Sequence, residues 1–298
     1  MSKAVRWILA SAILVAVIIW VSIDVGWHNV MDAWRDVPPL TILVMGIITI
    51  SSYLLRAARF YLYFGHSAGH PFLSYTRISF LHNAFNNFLP MRLGEASFPL
   101  LMKQQFGYPL LQTSAGLVWI RLLDLHWLLV LLSLVACVQF GTVWLATTGA
   151  LLAAPLLLLW QRDNLIRLLP QRRQEQLQGL RHYAPANRWM LIKLYGITIT
   201  VWCSKLLAFT VIMLSFLDIP VAQGVLAVIS ADLSSVLPIH GLAGSGTFEA
   251  AMLMALLPLG VARSDVLLAA VNVHLYLLLT TLLVVPLALA IPSHRENR

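Results

Sequence analysis

The chain has 298 residues, of which 59% are hydrophobic and 11% are charged, and its mean hydropathy is +0.81. Because soluble proteins carry about 25% charged residues, this composition excludes a sizeable soluble domain and indicates one polytopic α-helical membrane domain over residues 1–298. The net charge is +8. The cations cluster at the ends of apolar segments, so they indicate membrane topology and anionic lipid headgroups rather than nucleic acid as a partner.

The first apolar segments predict two transmembrane helices, at about 5–25 and 39–64. The first run is longer than the apolar core of a signal peptide, which has about 7–15 residues, so we expect an uncleaved span. Arg56 and Arg59 lie in the last third of the second span, among tyrosines. We interpret them as topology anchors at the headgroups; the alternative is that they line a headgroup site.

The next segment, 71–89, is about long enough to cross a membrane but is interrupted by polar residues. Pro90 ends it, and the following apolar piece, 96–104, is too short to cross. Two further spans are predicted at about 110–140 and 143–160.

The second half repeats this order after an arginine-rich loop at 161–188. A span is predicted at about 189–217, then an apolar segment at 220–258 that is broken by Pro238 and a glycine-rich run, then a final span at about 266–291. Lys205 lies inside the first of these spans. It is expected either to extend toward the membrane surface or to pair with Asp124 or Asp232.

The positions of lysine and arginine predict that both termini and the 161–188 loop are cytoplasmic. Residues 71–108 then begin and end inside, and residues 220–263 begin and end outside. We therefore predict about six full transmembrane helices plus two opposed, broken re-entrant hairpins. They form an inverted repeat with halves at about 40–160 and 189–291. Two full crossings in either broken region would preserve every side assignment.

The two broken regions repeat one pattern: a Leu-Pro break, a glycine-linked carboxylate, then a cation on the next span. The first copy consists of Pro90, Gly94, Glu95 and Arg121; the second consists of Pro238, Gly244, Gly246, Glu249 and His274. Unpaired polar groups are costly in lipid, so such residues are functional candidates by default. The candidate substrate-binding residues also include Asn86, Asn87, Arg92 and Asp124.

The roles of these residues have alternatives. Glu95 and Glu249 either complement the start of a half-helix, or pair with Arg121 and His274, or carry protons. The restarting half-helices also present N–H groups suited to a phosphate. The two asparagines either ligate a headgroup or satisfy the backbone that Pro90 frees.

Three segments resemble motifs of the flippase-like transmembrane domain of lysylphosphatidylglycerol synthases and its stand-alone relatives. They are Asn87-Phe-Leu-Pro-Met-Arg-Leu-Gly-Glu95, Val118-Trp-Ile-Arg-Leu-Leu-Asp124 and Leu237-Pro-Ile-His-Gly-Leu-Ala-Gly-Ser-Gly-Thr-Phe-Glu249. The resemblance implies translocation of a lipid or polyprenyl carrier in the cytoplasmic membrane of a bacterium or archaeon. No counterpart of the soluble lysyl-transferring domain is found, so that reaction is not expected.

The chain departs from the family pattern at three positions. Met91 stands where a glycine is common, and Ile120 stands where an acidic residue is common. His274 stands where an arginine is expected, which either makes the second half sensitive to pH or weakens anion binding.

These features predict a transporter for the headgroup of an anionic lipid or polyprenyl-phosphate carrier, with no cofactor and no metal site. Two alternatives remain. One is an intramembrane glycosyl- or aminoacyl-transferase that uses Glu95 or Glu249 as general base. The other is a non-transporting subunit that works with a lipid-modifying enzyme.

Overall fold

The computed structural model describes residues 3–65, 69–89, 93–167, 183–185, 187–234 and 242–293, and every regular element in these ranges is helical. The helices are α1 (Lys3–Asp24), α2 (Trp27–Asp32), α3 (Pro39–Phe60), α4 (Phe72–Phe88), α5 (Ser97–Phe106), α6 (Leu110–Phe140), α7 (Trp144–Arg167), α8 (Arg188–Leu214), α9 (Val221–Ser234), α10 (Thr247–Leu256) and α11 (Arg263–Ala290). The prediction of an all-α, multi-pass membrane protein is confirmed for these ranges.

Four helices in the described ranges are long and apolar enough to cross a membrane: α3 with the π-helical turn that continues it to Gly65, α6, α8 and α11. The pair α1 and α2 is a fifth candidate and is bent by 85°. The six full spans expected are therefore not confirmed. Helix α7 is not among the candidates. It contains Pro155 and continues to Arg167, so the start of the predicted 161–188 loop is helical.

Two pairs of short helices occupy the broken regions. Helices α4 and α5 pack against each other, and so do α9 and α10. They have 17, 10, 14 and 10 residues. At about 1.5 Å per residue, each is shorter than the hydrocarbon core of about 30 Å. Helix α4 ends at Leu89 in an extended conformation, as expected for a residue that precedes a proline.

Each short pair has its own apolar core. Tyr75 and Phe106 stack between α4 and α5, 4.8 Å apart, and Phe98 of α5 stacks on Phe60 of α3, 4.3 Å apart. Leu117 and Ile120 of α6 belong to the same apolar cluster. The α9–α10 pair packs with α8 and α11 in the largest apolar cluster. Helix α4 also lies against α3, α11 and the 3₁₀ turn Leu242–Gly244 that precedes α10. The ends of the two pairs therefore meet inside the bundle.

Candidate functional site

A cavity of about 630 Å³ lies where the two short pairs meet. The first pair contributes residues near the end of α4 and the turn before α5, and the second pair contributes the turn before α10. Helices α3, α6, α8, α9 and α11 complete the wall. The ionisable and amide side chains that line it are Arg56, Arg59, Asn83, Asn86, Asn87, Glu95, Arg121, Asp124, Lys205, Asp232 and His274.

Asp124 on α6 is the centre of a buried polar cluster. Its carboxylate accepts hydrogen bonds from the Arg59 guanidinium at 2.5 and 3.3 Å and from Trp202 Nε1 at 2.9 Å. Arg59 also donates to Thr198 Oγ1 at 3.0 Å. The Arg59 and Asp124 side chains are 3% and 6% exposed. This cluster joins α3, α6 and α8, and its charges are compensated inside the bundle, as a buried ion pair requires.

The first repeated carboxylate, Glu95, pairs with Arg121 at 2.8 Å. Arg121 also reaches Asp124 at 3.4 Å, so it joins the turn before α5 to the buried cluster. Both side chains of the Glu95–Arg121 pair are partly exposed and line the cavity. A second anion in the cavity therefore has access to Arg121 and competes with Glu95 for it.

The second repeated carboxylate, Glu249, pairs with His274 at 2.6 Å and is almost completely buried. Its other oxygen accepts the Gly246 N–H at 2.8 Å. Glu249 therefore makes both predicted contacts, one with the start of α10 and one with His274. Because its own carboxylate already complements the first turn of α10, this helix start is a poor phosphate site.

Lys205 and Asp232 form a third buried pair, at 2.5 Å. It links α8 to α9, and the lysine lies 5.3 Å from the Trp202 ring and 5.2 Å from the Phe209 ring. Of the alternatives for Lys205, the pairing with Asp232 is the one that the structure shows.

Arg56 is the cavity cation that forms no ion pair with a carboxylate among the described residues. It donates to Asn83 Oδ1 at 3.0 Å and lies 5.6 Å from the Tyr53 ring. Arg56 and Arg59 both line the cavity, which favours the alternative interpretation that they line a site.

The remaining predicted residues are placed as follows. Asn87 donates to Thr281 Oγ1 at 2.7 Å, and Asn86 contacts His82 at 3.1 Å. An added Cβ at Gly94 would lie 2.4 Å from the Asn86 backbone, so only glycine permits this approach. Gly244 and Gly246 both have positive φ, 79° and 87°, and only Gly244 lines the cavity. Pro90, Arg92 and Pro238 lie outside the described residues.

The predicted site omitted Arg56, Arg59, Asn83, Trp202, Lys205 and Asp232. A signal for two of these was present in α3, where Thr49, Ser52, Tyr53, Arg56 and Arg59 recur at helical spacing and therefore share one face. In a membrane helix, a continuous polar face points to the protein interior. Among the described residues no group of three or more His, Cys, Asp or Glu could hold a metal ion.

A family model described as the lysylphosphatidylglycerol synthase TM region matches residues 7–284. The chain belongs to this family. The match includes every cavity residue named above, and it confirms the resemblance that the three motifs suggested. No curated protein and no solved structure matches the chain.

Proposed function

We propose that this member of the lysylphosphatidylglycerol synthase TM family is a flippase-like transporter. Its substrate is the headgroup of an anionic lipid or polyprenyl-phosphate carrier, which it moves across the cytoplasmic membrane of a bacterium or archaeon. The observation that carries the proposal is a cavity between the two short helix pairs, lined by long apolar helices and with surplus positive charge.

The charge of the cavity wall favours an anion. Four cations line it, Arg56, Arg59, Arg121 and Lys205, against three carboxylates, Glu95, Asp124 and Asp232. Because His274 pairs with Glu249, the two are counted together as contributing no net charge, and the wall carries one surplus positive charge. Arg56 holds that surplus, because each of the other three cations is paired with a carboxylate. A headgroup anion that binds Arg56 therefore does not need to break an existing ion pair.

The hydrogen-bond inventory supports the same ligand class. Three buried donors on cavity residues have no partner: Arg59 Nε, Asn83 Nδ2 and Arg121 Nε. A buried donor without a partner costs about 1–3 kcal/mol. A phosphate ester offers several acceptor oxygens, and arginine binds it with charge-assisted bonds.

One face of α6 suits the lipid tails. On α6, Ser114, Val118, Arg121, Leu122 and Leu125 line the cavity at helical spacing, and the apolar side chains among them are exposed. Val118 is 57% exposed and Leu122 is 50% exposed. A headgroup beside Arg121 can therefore leave its acyl or prenyl chain along α6, in contact with membrane lipid.

The transport cycle we propose uses the two short pairs as re-entrant hairpins from opposite faces, in an inverted repeat. The helices that cross the membrane in this scheme are α1, α3, α6, α7, α8 and α11, with both termini cytoplasmic. A lipid-modifying enzyme is the proposed partner that supplies or uses the moved lipid. The transferase alternative is less favoured, because Glu95 and Glu249 are both engaged in ion pairs and neither is placed as a free base.

The test is reconstitution into vesicles of phosphatidylglycerol and phosphatidylethanolamine that contain headgroup-labelled phosphatidylglycerol. Loss of accessible label from the outer leaflet measures movement, and lipid analysis of the same sample detects chemical change. Arg56→Gln should slow movement about 10- to 100-fold, since a hydrogen bond to a charged group is worth about 1.5–3 kcal/mol. Arg35→Gln is the matched control, because Arg35 lies on the surface beside Asp32.

Movement no faster than in protein-free vesicles would refute the transport proposal. Equal rates for wild type and Arg56→Gln would refute the role of Arg56. A chemically altered labelled lipid would instead support the transferase. An inert protein without either activity would support the non-transporting subunit.

A further inference from the structure

His274 on α11 lies between two hydrogen-bond acceptors. Its Nδ1 is 2.6 Å from Glu249 Oε1, and its Nε2 is 2.7 Å from the Ala243 carbonyl oxygen. The ring stacks on Phe248 with centroids 4.4 Å apart, which fixes its plane. Both nitrogens therefore have short, directed contacts with oxygen atoms.

Each of these two contacts needs one proton between its two atoms, so two protons are needed. A neutral histidine beside a carboxylate supplies only one. A neutral imidazole has a single N–H, so one of its nitrogens would turn a lone pair toward an acceptor. Both contacts are satisfied by an imidazolium beside a carboxylate. They are equally satisfied by a neutral ring beside a protonated Glu249. In either form the pair shares the same additional proton.

We propose that the His274–Glu249 pair is a proton-binding site that controls the turn before α10 and couples transport to proton movement. The coupling rests on the proposed function; the proton site does not. Binding adds one proton from the cavity, which His274 lines. Release returns that proton to the cavity and leaves a neutral ring beside a carboxylate.

Proton release has a defined structural consequence. The neutral ring keeps one of its two contacts, and the other becomes a repulsion between acceptors. Ala243 has φ of 56°, a left-handed conformation that is unfavourable for a residue with a Cβ. The His274 ring holds the Ala243 carbonyl through a hydrogen bond. Loss of that bond, or of the contact between His274 and Glu249 in the first turn of α10, therefore loosens the turn before α10. This turn is part of the cavity wall, and its loosening opens one side of the cavity.

Among the described residues, none of the other ionisable groups around α11 forms a hydrogen bond or ion pair with His274. The helices and turns packed against it carry Glu249, His82, Arg77, Arg56, Arg59, Lys205, His28 and Asp32, and Asp232, Glu95, Arg121 and Asp124 face the same cavity. His82 contacts Ser97 and Asn86, and Lys205 is paired with Asp232. Among the described residues, Glu249 is the one carboxylate in an ion pair with His274.

The equivalent pair in the first half does not have this property. Arg121 forms the ion pair with Glu95, and a guanidinium stays protonated in proteins. The intervals are nearly equal, 26 residues from Glu95 to Arg121 and 25 from Glu249 to His274. At corresponding positions of its two halves, the chain therefore has one pair whose cation stays charged, Glu95–Arg121, and one pair that can gain or lose a proton, Glu249–His274.

Hydrogen–deuterium exchange of residues 242–249 in lipid nanodiscs tests the proton site directly. Each wild-type rate is divided by the rate of His274→Arg at the same pH, which removes the intrinsic pH dependence of exchange. With loss of the proton as the pH rises, the ratio should be near one at the acid end of the range and increase at least about fivefold by about pH 9. His28→Asn is the control, because His28 is an exposed histidine paired with Asp32, and it should follow the wild type.

Glu249→Gln separates a proton site from a purely structural contact. The amide oxygen of glutamine can accept the Gly246 N–H while its NH₂ donates to Nδ1, so a neutral ring keeps both contacts without an additional proton. We expect exchange in this variant to stay as slow as in His274→Arg at every pH. A wild-type ratio that stays within twofold across the pH range would overturn the proton site, as would faster exchange in Glu249→Gln than in wild type at high pH.

The vesicle assay with headgroup-labelled phosphatidylglycerol tests the coupling. With an imposed gradient of about 2 pH units, wild-type movement should differ at least about threefold between the two gradient directions, whereas His274→Arg and Glu249→Gln should not respond. Movement that ignores the gradient overturns the coupling and leaves the transport proposal intact. Absence of movement with a pH-dependent exchange ratio overturns the transport proposal and leaves the proton site intact.

Discussion

Removal of the Asp124 carboxylate should destabilise the fold more than the loss of a surface charge. In Asp124→Ala, the Arg59 guanidinium loses both bonds to the carboxylate and keeps only the Thr198 contact, while Trp202 Nε1 loses its acceptor. Removal of one partner of a buried ion pair costs about 3–5 kcal/mol, because the other charge stays buried. Asp124→Asn keeps the shape and one acceptor oxygen, so its cost should be about 1–3 kcal/mol.

The assay is equilibrium unfolding in mixed micelles, followed by tryptophan fluorescence. Asp32→Ala is the control, since that carboxylate lies at the surface, and it should shift stability by less than about 0.5 kcal/mol. The double variant Arg59→Met, Asp124→Leu removes both charges and should recover most of the loss. A loss below about 1 kcal/mol in Asp124→Ala, or a double variant less stable than the single one, would refute the reasoning.

Two further predictions concern packing and hydrogen bonding. Gly94→Ala should destabilise the fold by about 1–3 kcal/mol, because the added Cβ meets the backbone of α4. Gly196→Ala has open space around it and should be neutral or stabilising. Thermal unfolding of both variants tests this, and equal unfolding midpoints would contradict the close approach at Gly94. Tyr195→Phe should cost about 1 kcal/mol: His126 Nε2 donates to the Leu151 carbonyl, so its Nδ1 accepts the tyrosine hydroxyl proton. An unchanged unfolding midpoint for Tyr195→Phe would show that this hydroxyl contributes nothing.

The helices were largely predictable from the sequence because hydropathy and proline positions are local signals. The predicted span at 110–140 agrees with α6, and the broken segments at 71–108 and 220–258 contain the two short pairs. The pairing of Glu95 with Arg121 and of Glu249 with His274 was also predictable, since each carboxylate precedes its partner by a similar interval on the next long helix.

The buried cluster was not predictable from local patterns. Arg59 and Asp124 are 65 residues apart and Trp202 is 78 residues beyond Asp124, so their contact depends on how three helices assemble. Cations are common at membrane surfaces, near the ends of helices. Because Arg59 lies near a helix end, its position in the sequence favoured a surface role over a buried ion pair. The need of a buried Asp124 for a partner indicated that some cation must turn inward, but not which one.

The Asp124 cluster separates a connected set of long helices from the turns of the short helix pairs. It connects α3, α6 and α8 to one another through one group of buried hydrogen bonds, so these three helices form one unit, which we call the frame. The turn before α5 is attached to α6 through the Glu95–Arg121 pair, and the first turn of α10 is attached to α11 through the Glu249–His274 pair. A transport cycle that breaks and re-forms those two pairs leaves the frame unchanged. Only two small segments then need to move when a headgroup crosses.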